Sequence, residues 1–192
     1  MPAETSVPKR SLSRLAIAGS VGLLSVGAIF LMAYALGWLS SRGDSGYDNK
    51  QYSALQNLLT ASSNASTALS GEDWPTWEKT RSALLASMTN MAASFDSGAF
   101  NGTIKQAVDA WPTLEKAVDF PHARTAYTRV SDNLAQIALI ARKQDQRFAT
   151  VHIFYCPMTA APSNARWIQL SGNLHNPFWG KEMLDCGSEI QH

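Results

Sequence analysis

The two cysteines of the 192-residue chain each stand close to a methionine, Cys156 with Met158 and Cys186 with Met183. Thiolate and thioether sulfur are soft, polarisable donors, so a site with two of each favours Cu(I), or the chemically similar Ag(I), over hard cations such as Mg²⁺. The same pair also suits a structural disulfide, which for an enclosed loop of about thirty residues stabilises by roughly 3–4 kcal/mol in the chain-entropy picture. Both readings require proximity. A disulfide needs Cα atoms within about 7 Å, and shared ligation needs the sulfurs only slightly farther apart. Met158 and Met183 are then either ligands or adaptable packing. His152 and His175 stand nearest in sequence as outer or alternative ligands, His175 because it falls in the loop between the cysteines.

Other chemistry is poorly supplied. The chain has no Cys-x-x-Cys pair, no Gly-x-Ser-x-Gly elbow, no His-Glu-x-x-His zinc helix and no phosphate loop, which argues against haem attachment, hydrolases, zinc proteases and nucleotide enzymes. The reading is a non-enzyme with no catalytic residues and no organic cofactor. Acidic and basic residues are nearly balanced, with a formal net charge of +1, and they are interspersed. Such a surface offers no electrostatic footprint for nucleic acid.

Where the sulfur chemistry takes place depends on the first forty residues. Residues 15–39 read LAIAGSVGLLSVGAIFLMAYALGWL without a charge, and at ~1.5 Å rise per residue they are long enough to cross a bilayer core of ~30 Å. They are expected to be a transmembrane anchor or a long, uncleaved signal segment. Lys9, Arg10 and Arg14 precede them, so the positive-inside bias makes residues 1–14 a cytoplasmic tail. Residues 40–46 form a linker, and residues 47–192 lie across the membrane as the extracytoplasmic domain. That length suits one domain with a real core. The compartment is oxidising, which favours a disulfide.

The elements that must hold the cysteines are mainly helical. Asp48-Asn49-Lys50-Gln51 has the form of a capping box, and Tyr52, Leu55, Leu58, Leu59 and Leu69 recur at helical spacing until Gly71. Asp73 caps a second helix with a stripe of Trp77, Leu84, Leu85, Met88, Met91, Ala92 and Phe95; Met88 and Met91 belong to packing. A third runs from about Asn101 with Ile104, Ala107, Val108, Trp111, Leu114 and Val118, and Pro112 is expected to kink or split it. Asp119 caps a fourth, with Pro121 in its first turn and Ala123, Tyr127, Val130, Leu134, Ile137 and Ala141 on one face. Four such helices with short connections predict an antiparallel up-and-down bundle. The residues from Phe148 to Tyr155, and from Arg166 to Leu170, are β-branched and aromatic. They predict extended segments, a small hairpin laid on the bundle. Residues 148–190 are therefore a C-terminal appendage carrying the Cys/Met motif. Trp167, Phe178 and Trp179 are expected to anchor it, and Asn176-Pro177 with Gly180 to make a tight turn.

These residues also resemble a known bacterial domain family of unknown function. The resemblance is carried by Arg124, Tyr127 and Ser131 on the fourth helix, by Cys156-Pro157-Met158, by Trp167, by Asn176-Pro177-Phe178-Trp179-Gly180 and by Met183-Leu184-Asp185-Cys186-Gly187. It covers roughly residues 47–190 and is strongest toward the C-terminus. Family members usually carry His immediately before the Cys-Pro-Met, where this chain has Tyr155. The family occurs alone in exported proteins and attached to periplasmic adaptor subunits of copper/silver efflux pumps. The resemblance thus implies a periplasmic domain on the inner membrane, associated with metal tolerance, efflux or delivery.

Overall fold

The first helix starts where the sequence supplies its cap. In the computed structural model, which describes residues 46–95, 97–159 and 165–191, Asp48 Oδ1 accepts from the Gln51 amide at 2.8 Å, and Gln51 Oε1 accepts from the Asp48 amide at 3.3 Å. Helix α1 (Asn49–Gly71) runs from this box. It ends on a left-handed residue that is Glu72, with φ 56°, and not the preceding glycine. The Asp73 carboxylate accepts from the Thr76 amide and begins α2 (Trp74–Ser94), with Pro75 in its first turn. Helix α3 (Asn101–Glu115) contains Pro112 and remains one helix. The helix is not split at Pro112: it runs on to Glu115, and the proline withholds a single backbone donor. Val118 was counted on the buried stripe, yet it is 79% exposed in the connection beyond the helix end. Asp119 accepts from the His122 amide at 2.9 Å and caps α4 (Phe120–Gln144), whose last turn carries Arg142 and Lys143. Those cations face the negative end of the helix dipole.

The four helices pack in sequence order, α1 on α2, α2 on α3 and α3 on α4, and α1 also meets α4. The apolar stripes read from the sequence form the core, with Leu55, Leu84, Met88, Met91, Tyr127, Leu134 and Ile137 inaccessible to solvent. Among the described residues no helix is long and apolar enough to cross a membrane. Residues 1–14, expected to be a cytoplasmic tail, the apolar run of residues 15–39 and all of the expected linker but Gly46 lie outside the described residues.

After α4 a short 3-10 turn (Gln146–Phe148) leads into a three-stranded antiparallel sheet. Strand β1 (His152–Cys156) is central; β2 (Ala165–Gln169) pairs along its whole length and the two-residue β3 (Ser188–Glu189) closes its other edge. The expected hairpin is therefore joined by a third strand, too short to give a pattern in the sequence. Alternation divides the side chains of β1 and β2 between the two faces. Arg166, next to Trp167 on β2, reaches α4, where its guanidinium is 2.6 and 3.0 Å from the Asp132 carboxylate and 3.2 Å from Gln136. Phe154 and Trp167 stack at 5.5 Å, Trp167 meets Phe178 edge-on at 5.6 Å, and Phe178 leans on Tyr127 of α4 at 6.3 Å. This row of rings ties the helices to the sheet and the C-terminal loop. Burying an indole such as Trp167, at 150–250 Å², contributes roughly 4–6 kcal/mol before entropy is subtracted.

Candidate dithiol site

Cys156 is the last residue of β1, directly opposite Ala165 in the register. Both are buried. Cys186 comes from the other end of the appendage. Its amide donates to the Met183 carbonyl at 3.1 Å, closing a tight turn that carries both residues. The next residue, Gly187, has φ 147°, and a Cβ there would lie 2.8 Å from the Tyr155 carbonyl oxygen and 2.9 Å from the Trp167 ring. Only glycine lets the chain pass so near β1. This close passage brings the two sulfurs to 3.3 Å across thirty residues of sequence.

A polar hub holds the turn in place. Asn176 is fully buried; its Oδ1 accepts from the amides of Phe178 at 2.8 Å and Trp179 at 3.3 Å, and its Nδ2 donates to the Cys186 carbonyl at 2.6 Å. Its own amide donates to the Leu184 carbonyl at 2.7 Å. The residue expected only to make a turn therefore also fixes the cysteine that follows ten residues later. Gln169, at the end of β2, does similar work: Oε1 accepts from Trp167 Nε1 and from the His175 amide, each at 3.0 Å, and Nε2 donates to the Asn173 carbonyl at 2.8 Å. Burying these amides is favourable only because their donors and acceptors are satisfied.

The thiol pair is asymmetric. Cys156 is inaccessible, whereas Cys186 is partly open to solvent. The hydrogen bond with Cys156 pushes the Cys186 thiol above its ordinary pKa, and burial and the charge of a Cys156 thiolate push the same way. A sulfur pair at 3.3 Å is beyond the ~2.05 Å of a bond. It is also closer than the ~3.8 Å separating two sulfurs that share a tetrahedral metal at ~2.3 Å. A disulfide would bring the sulfurs about 1.3 Å closer, and a shared metal of that geometry would hold them about 0.5 Å farther apart.

The remaining sequence candidates are distributed around this pair. Met183 is half-buried in the Cys186 turn, and Met158 is 57% exposed just beyond Cys156. His152 does not turn to the thiols: its Nδ1 is 2.7 Å from Glu189, bridging β1 and β3, and its ring stacks on Phe154. His175 is half-buried, and its backbone amide is held by Gln169. Among the described residues no group of three or more His, Cys, Asp or Glu side chains is placed to hold a metal ion.

The other residues of the motif brace the loop against the helices. Gly180 has φ 55°, and a Cβ on it would overlap the Arg124 guanidinium. Arg124 Nη2 donates to the Leu69 carbonyl at 3.2 Å and to Glu72 at 2.9 Å. Arg124 holds the Glu72 carboxyl below its usual range, assisted by Lys181. The left-handed turn at Glu72 thus delivers a carboxylate to the loop. Tyr127 is buried with its hydroxyl 3.0 Å from Ser66 and 3.4 Å from Ser62; Ser131 Oγ donates within α4 to the Thr128 carbonyl.

Comparison of the chain with protein-family models, curated proteins and solved structures found no match.

Proposed function

We propose that the protein is a single-pass inner-membrane protein, anchored by residues 15–39, whose periplasmic antiparallel up-and-down four-helix bundle presents a dithiol for soft metal. In its reduced form the Cys156–Cys186 pair takes Cu(I) or Ag(I) as cargo, with Met183 and Met158 as thioether donors at the rim. It passes that ion to or from a metal efflux or delivery system; the protein performs no catalysis. The observation that carries this reading is the convergence of the two sulfurs at 3.3 Å, one buried and one reachable. Paired soft donors select Cu(I) from a mixture of harder cations.

A second reading is favoured by the sulfurs lying nearer than a shared metal needs. Here the protein is a non-enzymatic periplasmic interaction module, and a Cys156–Cys186 disulfide locks the C-terminal loop as a docking surface. Thiol state separates the two. Protein recovered from its native membrane is counted for free thiols with and without added copper, and the reduced chain is titrated with Cu(I) against a chromophoric Cu(I) chelator. Metal handling predicts free thiols that copper protects and a Cu(I) affinity that falls when Met158 and Met183 are both replaced by leucine. Complete oxidation in the membrane, with no Cu(I) bound by the reduced chain, would leave the docking module.

A further inference from the structure

The difference in access between the two sulfurs sets an order of reaction. We propose that Cys186 is the entry sulfur for thiol–disulfide exchange with an oxidant bearing a reactive disulfide, and that Cys156 is the resolving sulfur. This rests on the reading of the pair as the working group of the protein, and it concerns the reduced, metal-free pair.

Exchange requires a thiolate to reach a disulfide along the axis of the bond that breaks. Cys156 cannot receive a partner: it is inaccessible at the end of β1, facing Ala165 across the register. Cys186 is partly open, on a turn fixed from behind by the Asn176 amide group on its carbonyl. A partner approaching Cys186 from solvent leaves Cys156 on the protein side, already at 3.3 Å. In the first step the Cys186 thiolate attacks one sulfur of the oxidant; the oxidant's S–S bond breaks and one half leaves as thiolate. In the second, Cys156 loses its proton and attacks Cys186 Sγ, forming the internal disulfide and expelling the other half as thiolate. Two electrons and two protons pass from the cysteine pair to the oxidant. The reverse sequence opens the disulfide, with a reducing thiolate attacking Cys186 and Cys156 departing.

The experiment uses the reduced full-length chain in detergent and 5,5′-dithiobis(2-nitrobenzoic acid) as oxidant, with glutathione disulfide and an oxidised thioredoxin-fold protein as small-molecule and protein sources of the same chemistry. In the unaltered chain, acid quenching at early times and peptide mapping should find the transient adduct on Cys186, and the end product should be the internal disulfide with no adduct retained. Cys156→Ala and Cys156→Ser should each stop at a stable mixed disulfide on Cys186. Cys186→Ala should react more slowly in the folded state, on the order of tenfold or more, and lose that difference in denaturant. The proposal is overturned if the early adduct maps to Cys156, if the unaltered chain retains an adduct on both cysteines, or if folded Cys186→Ala reacts as fast as Cys156→Ser. Copper binding is measured separately on the unaltered chain, so absence of Cu(I) binding with the reaction order intact would refute the metal reading alone.

Discussion

The four helices and the C-terminal appendage are stabilised in different ways. Along α1 to α4 the buried positions are mostly interchangeable hydrocarbon at helical spacing, with Leu55, Leu58, Leu84, Met88, Met91, Leu134 and Ile137 all inaccessible. In the sheet and loop, individual polar groups decide the path: Gln169 and Asn176 saturate buried amides, Arg166 clamps Asp132, and Gly180 and Gly187 accept geometry that side chains do not. Packing of the first kind tolerates substitution that conserves volume. The second kind does not, because removing one partner strands another in a dry interior. Chemistry gathers in the second region, where the chain is held tightly enough to juxtapose two thiols.

The largest expected break in this contrast is Trp167→Ala. It removes the ring between Phe154 and Phe178 and one of the two donors to Gln169 Oε1, and it should cost about 3–5 kcal/mol in denaturant unfolding. The internal disulfide should also form more slowly. Asn176→Ala comes next. Three donors and acceptors lose their partner, so a loss of about 1–3 kcal/mol is expected, again with slower closure of the cysteine pair. If Asn176→Ala leaves both stability and closure unchanged, the hub does not position Cys186. On the helical side, Met88→Leu with Met91→Leu should cost under about 1.5 kcal/mol and leave thiol reactivity unaltered.

The smallest effect is a matter of pH. The Asp145 carboxyl is held below its usual range, first by its side-chain hydrogen bonds with Arg147, which lie at 3.0 Å from Nε. A carboxylate depressed in the folded state contributes stability that is present above its unfolded pKa and is lost as pH falls through the folded value. The melting temperature should therefore hold through neutral pH and decline in the acid range below about pH 4. In Asp145→Asn that decline should be shallower, with the remainder contributed by Glu72, Asp73 and Asp119, whose carboxyls are also held low. An unchanged acid slope would remove the Asp145–Arg147 pair from the balance.

What was legible in the sequence follows the same division. Helix caps at Asp48, Asp73 and Asp119 announce themselves because a cap is a local hydrogen bond to an amide three residues on. The apolar stripes are equally local, which is why they identify the core. Pro112 points to a kink or a split, and the helix runs unbroken through it to Glu115, because the loss of one backbone donor does not by itself end a packed helix. The extended segments around Ile153 and Ile168 show in their composition, but β3 does not: two residues are too few for alternation to register. Motif spacing draws attention to Cys156 and Cys186, and either reading demands that they meet. The means of meeting is hidden, because the partners of Asn176 and Gln169, and the close pass of Gly187 over Tyr155, are contacts between residues distant in the chain. A glycine directly after Cys186 and an asparagine before Pro177 are the only local traces of that arrangement.

The account stands on Cys156 and Cys186 acting as one soft-metal unit. The most direct measurement is Cu(I) titration of the reduced full-length chain, in competition with a chromophoric Cu(I) chelator, beside Cys156→Ser, Cys186→Ser and the double variant, with melts to show that each is folded. A shared site predicts one ion per unaltered chain, and each single variant should lose as much affinity as the double because neither sulfur suffices alone. Wild-type affinity in either single variant, or no Cu(I) bound by the unaltered chain, would contradict it.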